Sequence, residues 1–83
     1  MTPQEARELI SRSILRIIPD ADLASLDDAA DMRRSLELDS LDFLGLVEML
    51  SSGTGVRIDE VDYPELASMG SSVGFLVDRT KAS

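Results

Sequence analysis

Apolar residues recur at intervals of three and four in three separate stretches of this 83-residue chain, with helix breakers between them. That spacing gathers them on one side of an α-helix and leaves the other side wet. In the first stretch Thr2-Pro3-Gln4-Glu5 reads as a helix start, with Thr2 as cap, Pro3 at the first helical position and Glu5 where a capping box needs it. Ala6, Leu9, Ile10, Ile14, Ile17 and Ile18 then form the apolar face, Glu8, Arg12 and Arg16 an exposed row, and Pro19 the end of a helix predicted over about residues 3–18. The second helix is predicted to be capped by Asp39 or Ser40, to carry Asp42 in its first turn, and to present Leu41, Leu44, Val47 and Leu50 as a stripe with Leu46 beside it. Ser51-Ser52-Gly53-Thr54-Gly55 is expected to stop it. Val56-Arg57-Ile58 reads as a short extended segment and Tyr63-Pro64-Glu65-Leu66-Ala67 as one or two helical turns. A last helix, capped by Ser68, carries Met69, Val73, Leu76 and Val77 with Phe75 near the stripe, and frays at about Thr80. Gly70 and Gly74 weaken it, so packing must compensate.

Residues 19–39 are different: rich in Asp and Ala, without periodicity, and long for a connection in so small a chain. Leu23, Leu26, Met32, Leu36 and Leu38 within it imply that it lies against the helices, with a short helical turn somewhere along it. The expected architecture is an all-α, small four-helix bundle, three principal helices plus a short one and a long first loop, forming a single domain over residues 1–83. Aromatic residues are 4% of the chain, which predicts an aliphatic core. With no cysteine, helix packing rather than disulfides must supply stability, as suits a reducing compartment. No apolar run approaches the roughly 18 residues of a membrane span and the first residues lack a basic-then-apolar leader, so the expectation is a cytoplasmic monomer with no membrane span.

The net charge of −8 is unevenly placed. Residues 20–65 hold 13 acids against Arg33, Arg34 and Arg57, while the segments on either side are slightly basic. Such a field repels nucleic acid and anionic membranes and favours basic protein surfaces. The acidic stretch 20–31 does not make a calcium loop, because Ala24, Ser25 and Asp31 stand where an EF-hand needs an oxygen ligand, glycine and glutamate. No metal site is expected. Nor is catalysis: the chain has no histidine, its one lysine is Lys81, and Asp39 and Asp42 are weak bases toward the hydroxyl of Ser40. A serine at a helix start with no base beside it is poorly made to catalyse but well placed to be modified by another enzyme.

The stretch from Leu36 to Leu50, with Asp39-Ser40-Leu41 followed by Leu44, Leu46, Val47 and Leu50, resembles the phosphopantetheine-attachment region of acyl carrier proteins. Chain length, acidity, the long first loop with Leu26-Asp27 and Leu36, the turn at Gly55-Val56-Arg57-Ile58 and the last amphipathic helix follow that family's order over about residues 3–80. The resemblance implies a non-catalytic carrier. A phosphopantetheinyl transferase would attach 4′-phosphopantetheine from coenzyme A to Ser40, and acyl groups would ride on the arm's thiol as thioesters. The phosphate would lie near the positive end of the helix. Asp39, Leu41, Asp42, Glu48, Asp59 and Glu60 would meet partners, namely acyl-loading, synthase and acyltransferase enzymes with basic docking surfaces. Leu44, Val47, Leu50, Ile58, Leu66 and Val73 would line a shelter for the acyl chain. Gly45, Ser51, Ser52 and Gly53 stand where the main fatty-acid carriers are acidic, which turns the expectation toward a specialised discrete carrier in fatty-acid, polyketide or lipid-type biosynthesis. An aminoacyl or peptidyl carrier and an unmodified acidic interaction module are the alternatives; Asp39 before the serine favours acyl cargo.

Overall fold

Helix α1 runs Pro3–Ile17 and starts as its sequence dictates: in the computed structural model, which describes residues 1–81, the Thr2 hydroxyl accepts the Glu5 N–H and the Glu5 carboxylate accepts the Thr2 N–H. That backbone hydrogen bond holds the Glu5 carboxyl below its ordinary pKa. A four-residue helix α2, Met32–Ser35, sits inside the long connection. Helix α3 spans Ser40–Thr54, a 3₁₀ segment spans Glu60–Leu66, and helix α4 spans Met69–Lys81. The described residues are therefore all-helical, with three long helices and two short ones, as expected of a small bundle. Helix α1 packs against both α3 and α4, and the 3₁₀ segment packs against α4.

Ala6, Ile10 and Ile14 of α1 meet Leu46, Val47 and Leu50 of α3, Leu66, and Met69, Val73 and Leu76 of α4 in one contiguous core. Two expectations need correction there. The core is not purely aliphatic, because Phe43 and Phe75 are both buried in it. Phe43 also meets Tyr63 edge to face, with centroids 5.2 Å apart. The buried face of α3 is Phe43, Leu46, Val47 and Leu50, whereas Leu41 is 79% and Leu44 43% exposed. The reason is helical geometry: a stripe stepping by three residues slips about 60° backward at each step, so its two ends face opposite sides of the helix. Val47 and Leu50 belong to the core and Leu41 and Leu44 have wound out of it.

Helix α3 also outruns the expected stop. Ser51 to Thr54 remain helical, and the turn comes at Gly55, whose φ of 74° is the left-handed conformation glycine adopts without steric penalty. Hydroxyl groups make the extension possible: Thr54 donates to the Leu50 carbonyl, and Ser51 to the Val56 carbonyl. Gly53 lets α1 approach, since a Cβ there would lie 2.9 Å from Leu9 Cδ1.

The connection from Ile18 to Asp39, with α2 inside it, is tied down along its length. Leu23, Leu26 and Leu36 pack against the core, and Met32 is fully within it. Gly70 N–H donates to the Asp28 carbonyl at 3.0 Å and Met32 N–H to the Ala67 carbonyl at 2.8 Å. Arg7 grips Asp28 with two bonds of 2.6 and 3.0 Å, which lowers the Asp28 pKa and raises that of Arg7. Half exposed, this pair adds little stability by itself. Asp62, nearly buried, accepts the Asp59 N–H at 3.0 Å and the Arg79 guanidinium at 2.6 Å, and so fastens the 3₁₀ segment to α4. At the start of α4 the Ser68 hydroxyl accepts the Ser71 N–H, the cap expected from the sequence.

The two glycines of α4 differ in surroundings, and alanine should separate them. At Gly74 an added Cβ meets nothing within 4 Å, so Gly74→Ala should raise unfolding free energy by about 0.5–1 kcal/mol through helix propensity. At Gly70 the Cβ would lie 3.2 Å from the Asp28 carbonyl oxygen, so Gly70→Ala should destabilise; urea unfolding of both variants checks the opposite signs. Asp62 gives a pH signature. Its pKa is lowered from the ordinary 3.8 mainly by the Asp59 N–H and further by Arg79. A depressed folded pKa stabilises above the unfolded value, and the gain disappears as pH falls through the folded one. Asp62→Asn should therefore lower the urea midpoint at pH 7 and leave a shallower loss of stability below pH 4 than in the parent.

Candidate functional site

Ser40 is the first residue of α3, and the flanking acids are occupied by the backbone. Asp39 Oδ1 accepts the Asp42 N–H at 2.8 Å, and Asp42 Oδ2 accepts the Asp39 N–H at 3.3 Å. This reciprocal box settles which residue caps: Asp39 does, and Ser40 is thereby free of capping duty. Its side chain is exposed, and the hydroxyl's one hydrogen-bond contact among the described residues is with Arg33, whose Nη2 lies 3.5 Å from Oγ. At that length the contact is at the outer edge of a hydrogen bond and orients more than it binds. Neither carboxylate touches Oγ, so nothing in the site takes its proton. The oxygen is thus exposed, with no carboxylate hydrogen-bonded to it among the described residues.

Arg33 comes from α2, and the chain fold between it and Ser40 is tight. The Asp31 carboxylate accepts the N–H groups of Arg33 and Arg34, starting α2, and Leu38 N–H donates back to the Arg33 carbonyl at 2.8 Å. Closing that loop requires Glu37 to take a φ of 56°, the one non-glycine residue with positive φ among those described. The Arg33 guanidinium then lies over the Phe43 ring, 5.0 Å from its centroid. Phe43 is three residues beyond Ser40, hence on the neighbouring part of the same helix surface, and this is why one guanidinium reaches both. Sequence reading missed Arg33 because its link to Ser40 passes through the Glu37 turn and the buried face of α3, neither of which follows a helical period. The Asp62–Arg79 pair was missed because it joins residues 17 apart, one on the 3₁₀ segment and one on α4.

The other expected site residues fall as follows. Leu41 stands beside Ser40 and is largely exposed, Asp42 is half-buried, and Asp39, Glu48, Asp59 and Glu60 are exposed. Asp59 is engaged by Arg57 at 3.0 Å. Val61, next to Glu60, is 83% exposed and adds an apolar point that the sequence reading did not single out. Of the six residues expected to line an acyl shelter, Val47, Leu50, Leu66 and Val73 are packed in the core, Ile58 is half-buried, and Leu44 stands out of the core. None of the six lines the groove of about 540 Å³ between α1 and α3, which is bordered by Leu9, Leu15 and Met49 with Arg12 and Arg16. Among the described residues, no group of three or more His, Cys, Asp or Glu is gathered to hold a metal ion, and no helix is long and apolar enough to cross a membrane.

Glu37 offers a direct check on the turn that sets the site. A side-chain-bearing residue in the left-handed region carries a penalty that glycine avoids. Glu37→Gly should thus raise stability by about 0.5–1 kcal/mol, and Glu37→Val should lower it, as read by chemical denaturation. Comparison with known proteins adds no family to this geometry: no family model matches the chain, and no curated relative does.

Proposed function

We propose that the protein is a carrier modified at Ser40 with 4′-phosphopantetheine, which moves acyl intermediates as thioesters among partner enzymes and performs no catalysis of its own. One observation carries the reading: the Ser40 hydroxyl is solvent-facing at the first turn of a helix whose capping is done entirely by its neighbours. The resemblance of residues 36–50 to the attachment region of acyl carrier proteins supports it from the sequence side. In loading, Ser40 Oγ forms a bond to the pantetheine-side phosphorus of coenzyme A, the bond to that pyrophosphate's bridging oxygen breaks, and adenosine 3′,5′-bisphosphate leaves. The serine proton passes to a base on the transferase, because this chain places none at Oγ. Once attached, the arm supplies the thiol that the cysteine-free chain lacks.

The chain's own contributions are presentation and docking. Leu41 is an exposed apolar contact beside the attachment oxygen, and Asp39, Asp42, Glu48, Asp59 and Glu60 give partners with basic faces something to meet. Any sheltering of an acyl chain by Val47, Leu50, Leu66 and Val73 requires the packed core to part. The absence of acids at Gly45, Ser51, Ser52 and Gly53 favours a specialised discrete carrier in fatty-acid, polyketide or lipid-type synthesis, working in the cytoplasm as a monomer.

Incubation with coenzyme A and a broad-range phosphopantetheinyl transferase should add the mass of one phosphopantetheine group to the intact protein, and Ser40→Ala should add none. Wild-type protein that stays unmodified, or a biological activity that survives Ser40→Ala unchanged, would replace this reading with that of an unmodified acidic interaction module.

A further inference from the structure

The segment around Ser40 contains 13 acids and three arginines, yet Arg33 pairs with none of those acids. Arg57, by contrast, has taken Asp59. The Arg33 guanidinium is instead held over the Phe43 ring, with one nitrogen 3.5 Å from Ser40 Oγ. Its platform is rigid: Phe43 is 4% exposed and braced edge-on by Tyr63. Its backbone is rigid as well, fixed by the Asp31 cap and by the Leu38 N–H bond that closes the Glu37 turn. A preorganised arginine directed at a neutral hydroxyl, in the middle of an acidic surface, gains little from that hydroxyl itself. It gains much more from an anion borne on the same oxygen.

We infer that Arg33 is the anion-pairing residue of this site, holding the phosphate esterified to Ser40 Oγ and directing what is attached there toward α2 and the Phe43 ring. A phosphate's free oxygens lie two bonds from Oγ, through the phosphorus, within reach of a guanidinium nitrogen 3.5 Å from that oxygen. The need is local: Asp39 and Asp42 flank the oxygen, their carboxylates are spent on backbone N–H groups, and both repel a phosphate. Arg33 offsets that repulsion. The identity of the phosphate as that of phosphopantetheine rests on the function proposed above; the pairing itself does not, and can be tested apart from it.

The test is phosphoserine incorporated in place of Ser40 in the full-length chain, titrated by phosphorus NMR with Arg33 present and in Arg33→Gln and Arg33→Ala backgrounds. Arg33→Gln keeps a polar side chain with the first part of the aliphatic stem and removes the cationic guanidinium, so it decides the matter even if Arg33→Ala disturbs the loop. The second ionisation of phosphoserine, ordinarily near pH 6, should lie lower with Arg33 and rise by about half a pH unit or more in both variants. Asp39, Asp42, Arg34 and Glu37 are common to all three proteins, so the difference reports Arg33. Identical titrations would overturn the inference. A parallel transferase reaction with coenzyme A separates the two readings. If the wild type takes up no arm, the carrier reading falls while the titration still judges Arg33. If it does load and the phosphodiester resonance is the same with and without Arg33, Arg33 is no anion partner and the carrier reading stands.

Discussion

Two backbone hydrogen bonds, Gly70 N–H to the Asp28 carbonyl and Met32 N–H to the Ala67 carbonyl, fasten the long first connection to the beginning of α4, and the Ser40 site is built on that attachment. A stretch this long without regular structure loses much conformational entropy on folding. With no disulfide to hold it, the connection is held by a buried Met32, by partly buried Leu23, Leu26 and Leu36, and by these bonds. Gly70 belongs to this arrangement: a side chain there would crowd the Asp28 carbonyl, so the weakness it brings to α4 is offset by the contact it permits. With the connection fixed, α2 is fixed, and with α2 the guanidinium that reaches Ser40.

The site separates two jobs that one residue often performs. At many helix starts a serine caps the helix. Here Asp39 and Asp42 satisfy each other's N–H groups, and the serine between them is left outward. The same division disarms the acids as bases, because both point at backbone rather than at Oγ. The surrounding surface is acidic, with Leu41 exposed on it beside the serine.

Arginine on phenylalanine occurs twice in the fold, and the two cases differ in purpose. Arg79 lies over Phe75, 4.7 Å from its centroid, and is also bonded to the nearly buried Asp62, so it is a structural tie between α4 and the 3₁₀ segment. Arg33 over Phe43 has no carboxylate and faces the hydroxyl. Both phenylalanines are buried, so a core expected to be aliphatic is aromatic at these two points.

Local features were legible along the chain because local interactions make them. The Thr2–Glu5 box, the end of α1 near Pro19, the cap at Ser68 and the position of Ser40 at a helix start all involve residues within four of each other, and a linear sequence displays such pairs, whereas the choice between Asp39 and Ser40 as cap was made only by the Asp39–Asp42 box in the structure. The rest depended on contacts between distant residues. Which side of α3 is buried was decided by α1 packing against it and by the shared core that Phe43, Leu46 and Leu50 join, not by the longest run of leucines. Arg7 found Asp28 across 21 residues and Arg79 found Asp62 across 17, pairings for which every acid in a crowded acidic sequence was a candidate. Ser40 could be read from its neighbours in the chain; Arg33 beside it could not, because only the folded path through the Glu37 turn and the buried Phe43 ring brings the two together.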